Sequence, residues 1–96
     1  LVALCRNGHS LMAQITGTGC MLGSMIATYC GGQPDKAFEG AIHAVSHMGI
    51  AGERAARKVL EQNLGTGHFR IYLIDEVGLM TEEILKEGAH IEFVKK

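Results

Sequence analysis

Ile15-Thr16-Gly17-Thr18-Gly19-Cys20 runs without a break into the apolar stretch 21–30. Over residues 18–30 the side chains of Met21, Leu22, Met25, Ile26, Ala27 and Tyr29 fall on nearly every side of a helical wheel. A helix of that kind belongs in the core of a larger body, so this stretch demands cover on several faces. The two glycines before it let the backbone turn sharply and come close to a ligand. The start of a helix then presents unpaired N–H groups and about half a positive charge. That combination is an anion site, and phosphate is the anion most often held that way.

The segments on either side set the expected frame. Residues 2–5 and 11–15 are short apolar runs separated by Arg6-Asn7-Gly8-His9-Ser10, and Asn-Gly between such runs signals a hairpin. Two antiparallel strands are expected, the second ending at the glycine loop. Gly31-Gly32 supplies a left-handed helix stop, and Pro34 suits the first turn of the next helix. Phe38, Ile42, Val45, Gly49, Gly52, Ala56 and Val59 then share one face, which predicts a long helix reaching about Gln62. Arg54, Arg57, Lys58 and Glu61 are assigned to its wet side. Gly49 and Gly52 each cost about 1 kcal/mol against alanine in a helix, so a neighbour is expected to pack closely there. After the break at Gly65-Thr66-Gly67, Phe69, Leu73, Val77 and Met80 keep helical spacing, while Phe69, Ile71 and Leu73 also alternate like a strand; helix is favoured because Asp75 and Glu76 fall on its polar side. Thr81-Glu82-Glu83 reads as an N-cap with acidic residues in the first turn, opening a short helix to about Glu87. A last strand is expected over 90–94.

Composition narrows the partners. The chain has 96 residues, nine basic and ten acidic, with no basic stripe and few aromatics, which argues against nucleic acid. No apolar run reaches the roughly 20 residues that span a bilayer, so no membrane partner is expected. Cys5, Cys20 and Cys30 are odd in number and lack metal-type spacing, which suits reduced thiols and a cytoplasmic setting. Thirteen glycines stand against one proline, clustered as if to mark corners and close contacts. Leu1-Val2-Ala3-Leu4 reads as a strand already under way, so residues 1–96 are expected to be a piece of a larger protein.

Asn7-Gly8-His9, Ile15-Thr16-Gly17-Thr18-Gly19-Cys20 and Gly49-Ile50-Ala51-Gly52-Glu53-Arg54-Ala55, in that order, resemble the C-terminal third of the hydroxyethylthiazole kinase family. Gly65-Thr66-Gly67-His68-Phe69 is similar to that family's glycine-proline-glycine-serine-phenylalanine turn, departing from it at Thr66 and His68. The loop alone does not select this family, because hydroxymethylpyrimidine kinases carry a very similar stretch. The resemblance implies an α/β fold, residues 1–96 being the C-terminal part of one ribokinase-like α/β/α three-layer sandwich. This part is expected to be mostly helical with an N-terminal β-hairpin. It also implies ATP-dependent, Mg²⁺-assisted phosphorylation of the hydroxyethyl group of 4-methyl-5-(2-hydroxyethyl)thiazole, in a homotrimer with active sites at subunit boundaries. The 96-residue piece lacks the parts that by resemblance hold the substrate ring, most of the nucleotide and the metal, and is expected to be inactive alone. Two other readings stay in view: a hydroxymethylpyrimidine (phosphate) kinase of the same fold, and a non-catalytic phosphate- or nucleotide-binding module.

By the same resemblance Gly17 lies beside the bound thiazole, where a side chain would obstruct it. Amides of Thr18, Gly19 and Cys20 form the anion hole for the γ-phosphoryl oxygens, supplying preorganised donors where charge sits in the transition state. Cys20 occupies the position where most ribokinase-like enzymes place the aspartate that takes the hydroxyl proton. A helix N-terminus lowers a thiol pKa from about 8.5, whereas a nearby polyphosphate raises it. Cys20 is therefore read as a modest base or orienting group, and alternatively as a small thiol filling space. His43 and His47 are four apart, a spacing that suits metal ligands, but Ala44 stands where a zinc protease has glutamate and no third ligand is evident. They are read as partly exposed helix histidines, with no metal held by this chain. Glu53 and Arg54 are read as a solvated pair, with pairing across a subunit boundary as the alternative, Cys5 and Cys30 as core thiols, and the methionines as gap-fillers.

Overall fold

The computed structural model describes residues 2–14, 18–31 and 37–94. In chain order these form β1 (Val2–Cys5), a 3-10 helix (Ser10–Gln14), α1 (Thr18–Cys30), α2 (Ala37–Glu61), α3 (Thr66–Gly78), α4 (Glu82–Gly88) and β2 (Ile91–Val94). The chain is thus mostly helical with a small antiparallel sheet, an α/β arrangement.

The long helix organises everything else. Met48, Ala51, Ala55 and Val59 recur at steps of three and four and are buried against Phe69 and Leu73 of α3, and Ala44, one turn earlier, is buried as well. Met21, Leu22 and Met25 of α1 lie against the same cluster, so α1 and α3 both pack along α2. The alanines let neighbouring backbones come close, while Phe69 and Leu73, both 0% exposed, fill the space between. Burying one such side chain contributes about 1.5–3 kcal/mol.

A second face of α2 is buried by a different device. Gly49 and Gly52 leave room for the segment after β1. A Cβ on Gly49 would lie 2.7 Å from the Asn7 Cβ, and one on Gly52 would collide with the Met12 sulfur. The close neighbour expected at these two glycines is therefore Asn7 to one side and Met12 to the other. The expected stripe was only half of the pattern. Gly49, Gly52, Ala56 and Val59 are buried, Ile42 and Val45 half-buried, and Phe38 exposed, while the alanine face is buried as well.

The N-terminal hairpin is corrected. β1 pairs with β2, in the register Val2↔Val94, Ala3↔Phe93, Leu4↔Glu92 and Cys5↔Ile91, and residues 10–14 form a 3-10 helix instead of a strand. Gly8 takes φ +136°, but Asn7-Gly8 closes no hairpin, and Asn7 is seated on Gly49 of α2. The Arg6 N–H donates to the His90 carbonyl at 2.8 Å, extending the β1–β2 ladder. Exposed Arg6 and Glu92 add a two-pronged pair at 3.0 Å across it.

Helix ends follow their local chemistry. Gly31 closes α1 at φ +57°, its N–H bonding back to the Ala27 and Thr28 carbonyls. Gly32 and Pro34 lie outside the described residues. α2 ends on Asn63 at φ 54°, with Leu64 N–H on the Val59 carbonyl and Asn63 N–H on the Leu60 carbonyl. The stop therefore falls on Asn63, ahead of the Gly65-Thr66-Gly67 break. Thr66 then opens α3 at the first helical position, one that proline tolerates. Thr81 caps α4 by accepting from the Ile84 N–H at 3.2 Å.

Candidate functional site

α1 opens at Thr18, so the backbone of Thr18, Gly19 and Cys20 forms the helix's first turn. N–H groups there have no intrahelical acceptor, and no acidic side chain of the first turn neutralises the positive end. Thr18, Gly19 and Cys20 are thus brought together at the candidate anion site. Ile15, Thr16 and Gly17 lie outside the described residues, as do the side chains of Thr18 and Cys20.

Both flanks of this loop are fixed to one core. On the upstream side, Leu11 and Met12 of the 3-10 helix pack against the α2–α3 cluster, and Met12 sits over Gly52. On the downstream side, Met21, Leu22 and Met25 pack against the same cluster. Within this chain α2 covers one side of α1, leaving Gly23, Ser24, Ala27, Thr28 and Tyr29 exposed. The all-round cover expected for α1 is therefore not supplied by the described residues.

A polar anchor of the segment between β1 and the 3-10 helix is not announced by the sequence. The half-buried Asn7 side chain donates through Nδ2 to Glu53 Oε1 at 3.0 Å and to the Gly88 carbonyl at 2.7 Å, and its Oδ1 accepts from the His90 N–H at 2.7 Å. Glu53 Oε1 also accepts from the Gly8 N–H at 3.0 Å. The Gly88 carbonyl ends α4 and has no partner within its own helix, so Asn7 satisfies a group that would otherwise face loss. Glu53 is accordingly a strap for the Asn7-Gly8 turn and does not pair with Arg54. The signal available in the sequence was an Asn-Gly turn together with a glutamate one residue past two helix glycines.

Arg54 turns to α3. Glu76, expected on a polar surface, is 2% exposed, and Arg54 Nε reaches its Oε2 at 2.7 Å. The Lys58 ammonium sits against its other oxygen. Burial pushes the Glu76 carboxyl up, but Lys58 and Arg54 outweigh burial and hold it below the ordinary carboxylate range. Two residues of the supposed wet side of α2 are therefore half-buried arms of an ion triad linking α2 to α3.

His43 and His47 stand at the far end of α1, around Tyr29. The Tyr29 hydroxyl lies 2.7 Å from His47 Nδ1, and His47 Nε2 lies 2.9 Å from the Val77 carbonyl. A carbonyl only accepts, so Nε2 carries a proton, and in the neutral ring Nδ1 then accepts from Tyr29. His43 stacks on the Tyr29 ring at 5.8 Å. These side chains line a cleft of about 640 Å³ with Met80, Thr81, Leu85 and Lys86. Tyr29 is eleven residues along the helix from Thr18, roughly 16 Å at helical rise, so this cleft and the loop are separate places. Among the described residues no group of three His, Cys, Asp or Glu side chains is placed to hold a metal ion. Cys5 is a half-buried free thiol, its Sγ 3.9 Å from Ser46 Oγ.

The model of the Hydroxyethylthiazole kinase family matches residues 1–83. The chain belongs to the hydroxyethylthiazole kinase family. It is 43% identical over 91 residues to a hydroxyethylthiazole kinase of Thermoanaerobacter sp. (strain X514), a match covering 95% of this chain and 34% of the relative. A hydroxyethylthiazole kinase of Clostridium tetani is 44% identical over 85 residues, covering 88% of this chain and 30% of its own length. Hydroxyethylthiazole kinase 1 of Methanosphaera stadtmanae is 43% identical over 79 residues, or 82% of this chain and 27% of the relative. The chain spans about a third of the length of these relatives, and the matched part contains the loop, the Asn7–Glu53 strap and α1 to α3. No helix among the described residues is long and apolar enough to cross a membrane.

Proposed function

We propose that this chain supplies the phosphate-binding turn of a hydroxyethylthiazole kinase, residues 1–96 being the C-terminal part of one ribokinase-like domain. The whole kinase, a domain of this chain with the remainder of such a fold, transfers the γ-phosphoryl group of ATP to the hydroxyethyl oxygen of 4-methyl-5-(2-hydroxyethyl)thiazole. A homotrimer and a cytoplasmic setting go with that reading. Family membership supports the reaction class. The observation that carries the site is the opening of α1 at Thr18, with no first-turn acid to quench its positive end.

Phosphoryl transfer to an alcohol asks a protein for alignment and for charge stabilisation. Amides of Thr18, Gly19 and Cys20 hold the terminal phosphoryl oxygens as charge builds on them, and the fixed helix dipole costs no reorganisation at that moment. Gly17 leaves space for the thiazole. Cys20 orients the acceptor hydroxyl or takes its proton as a modest base. The packing of Leu11 and Met12 before the loop, and of Met21, Leu22 and Met25 after it, keeps these donors in place between turnovers. Mg²⁺ bound to the phosphates would neutralise their charge. The described residues do not form a cage for it, so its protein ligands are assigned to none of them.

The test feeds ATP and either the thiazole alcohol or a hydroxymethylpyrimidine to the whole kinase. Phosphorylated thiazole alcohol is expected. Product from the pyrimidine alone, or nucleotide binding without any product, would overturn the proposal.

A further inference from the structure

We propose that Asn7 is a latent deamidation site that the folded chain holds shut, with Glu53 as its guard. An asparagine followed by glycine is chemically exposed, because no Cβ on the next residue hinders attack by its backbone nitrogen. The Gly8 nitrogen loses its proton and forms a bond to Asn7 Cγ. The Cγ–Nδ2 bond breaks, and the side-chain nitrogen gains a proton and leaves as ammonia. Water then opens the cyclic imide at either carbonyl, leaving aspartate or isoaspartate at position 7. Water is the sole co-reactant, and no electron changes hands.

The fold opposes each stage. The Gly8 N–H donates to Glu53 Oε1 at 3.0 Å, so a deprotonated nitrogen would sit against a carboxylate. The departing Nδ2 donates to the same oxygen at 3.0 Å and to the Gly88 carbonyl at 2.7 Å, and its loss strands both acceptors. Rotation of Asn7 is limited too, since its Cβ and main-chain carbonyl lie closely over Gly49. Two contacts work the other way. The His90 N–H on Oδ1, at 2.7 Å, and more weakly the Cys5 thiol, at 3.7 Å, polarise the carbonyl that would be attacked. Glu53 is therefore what keeps an otherwise activated amide intact.

Conversion is also one-way for the fold. An aspartate would place an oxygen where Nδ2 stands, facing Glu53 Oε1 and the Gly88 carbonyl with no proton between them. A chain modified while open regains this junction of β1, α2, α4 and β2 only with the Gly88 carbonyl and Glu53 deprived of the Nδ2 donor. Asn7 thus records how often the molecule has opened, whatever reaction the protein catalyses.

The test incubates the whole protein at mildly alkaline pH, native and in urea, and quantifies aspartate and isoaspartate at position 7 by peptide mass spectrometry. Native protein is expected to convert at least about tenfold more slowly, because modification waits for local opening. A folded Glu53→Ala variant is expected to lose most of that protection under native conditions. Asn7→Asp is expected to melt several degrees lower than the parent, or not to fold. Equal rates in native and unfolded wild type, to within about twofold, would overturn the proposal, and that comparison stands even if the Glu53 variant does not fold. A folded Glu53→Ala variant as slow as wild type would remove Glu53 from the guarding role.

Discussion

Replacing Gly49 by alanine separates two opposed effects whose sizes follow from the structure. Alanine in place of glycine inside a helix favours folding by about 1 kcal/mol. The new methyl group would lie 2.7 Å from Asn7 Cβ and 3.0 Å from the Asn7 carbonyl carbon and oxygen. Carbon atoms prefer about 3.5–4.0 Å, so Asn7 has to retreat by close to 1 Å. What retreats is Asn7 Cβ and main chain, and with them the side-chain amide whose Nδ2 and Oδ1 make the bonds to Gly88 and His90 at 2.7 Å. Forced overpacking costs about 1–3 kcal/mol, and each stretched hydrogen bond about 1 kcal/mol more. The net expectation for Gly49→Ala is a loss of about 1–3 kcal/mol. Gly23, exposed on α1 with nothing within 4 Å of an added Cβ, is the internal control. Gly23→Ala should raise stability by up to about 1 kcal/mol. Urea unfolding of the three proteins, compared by midpoint at constant slope, measures both changes. A Gly49→Ala protein as stable as the parent would refute the close seating of Asn7 on α2.

Other expectations are simpler. The Glu76 carboxyl has a depressed pKa in the folded state, so its ion triad adds stability above the unfolded value of about 4.5 and loses it as pH falls through the lower folded value. Acid unfolding of Glu76→Gln should show a flatter pH dependence below about 4.5, with about 1–2 kcal/mol less stability at neutral pH, because Arg54 and Lys58 are exposed enough to rehydrate. Thr81→Ala removes the cap of α4 and should cost about 1 kcal/mol in thermal unfolding, with faster amide exchange at Ile84. In the whole kinase Cys20→Ala should keep clearly measurable turnover in a coupled ATP assay, since the amides carry most of the effect. Complete loss of activity in a folded variant would reverse that ranking.

Local chemistry was legible in the sequence, and long-range pairing was not. The helix over 18–30, the long helix with its glycine notch, the Thr81 cap and the last strand all rest on signals within a few residues. β1 failed that reading because its partner lies at the far end of the chain, and no turn residue announces it. Asn-Gly was read as a hairpin turn because its usual context is two strands. Here Glu53 and two glycines of α2 receive it instead. Glu76 was placed outside by its charge, yet two cations at steps of four on α2 draw it in. At the candidate site, the start of α1 was visible from Gly17 to Cys20. The strap from Asn7 to Glu53 was hidden, because its parts lie 46 residues apart and meet only through packing.

The most direct test of the phosphate-binding turn is the steady-state kinetics of Thr18→Pro in the whole kinase. Proline is at home at the first position of a helix, so this change deletes one N–H donor while leaving α1 its start. The variant is expected to fold, with kcat lower by about 10²–10³, the usual loss for one such donor. KM for the thiazole alcohol should change little. A kcat within about threefold of the parent would show that the amide at the head of α1 does not stabilise the transferring phosphoryl group.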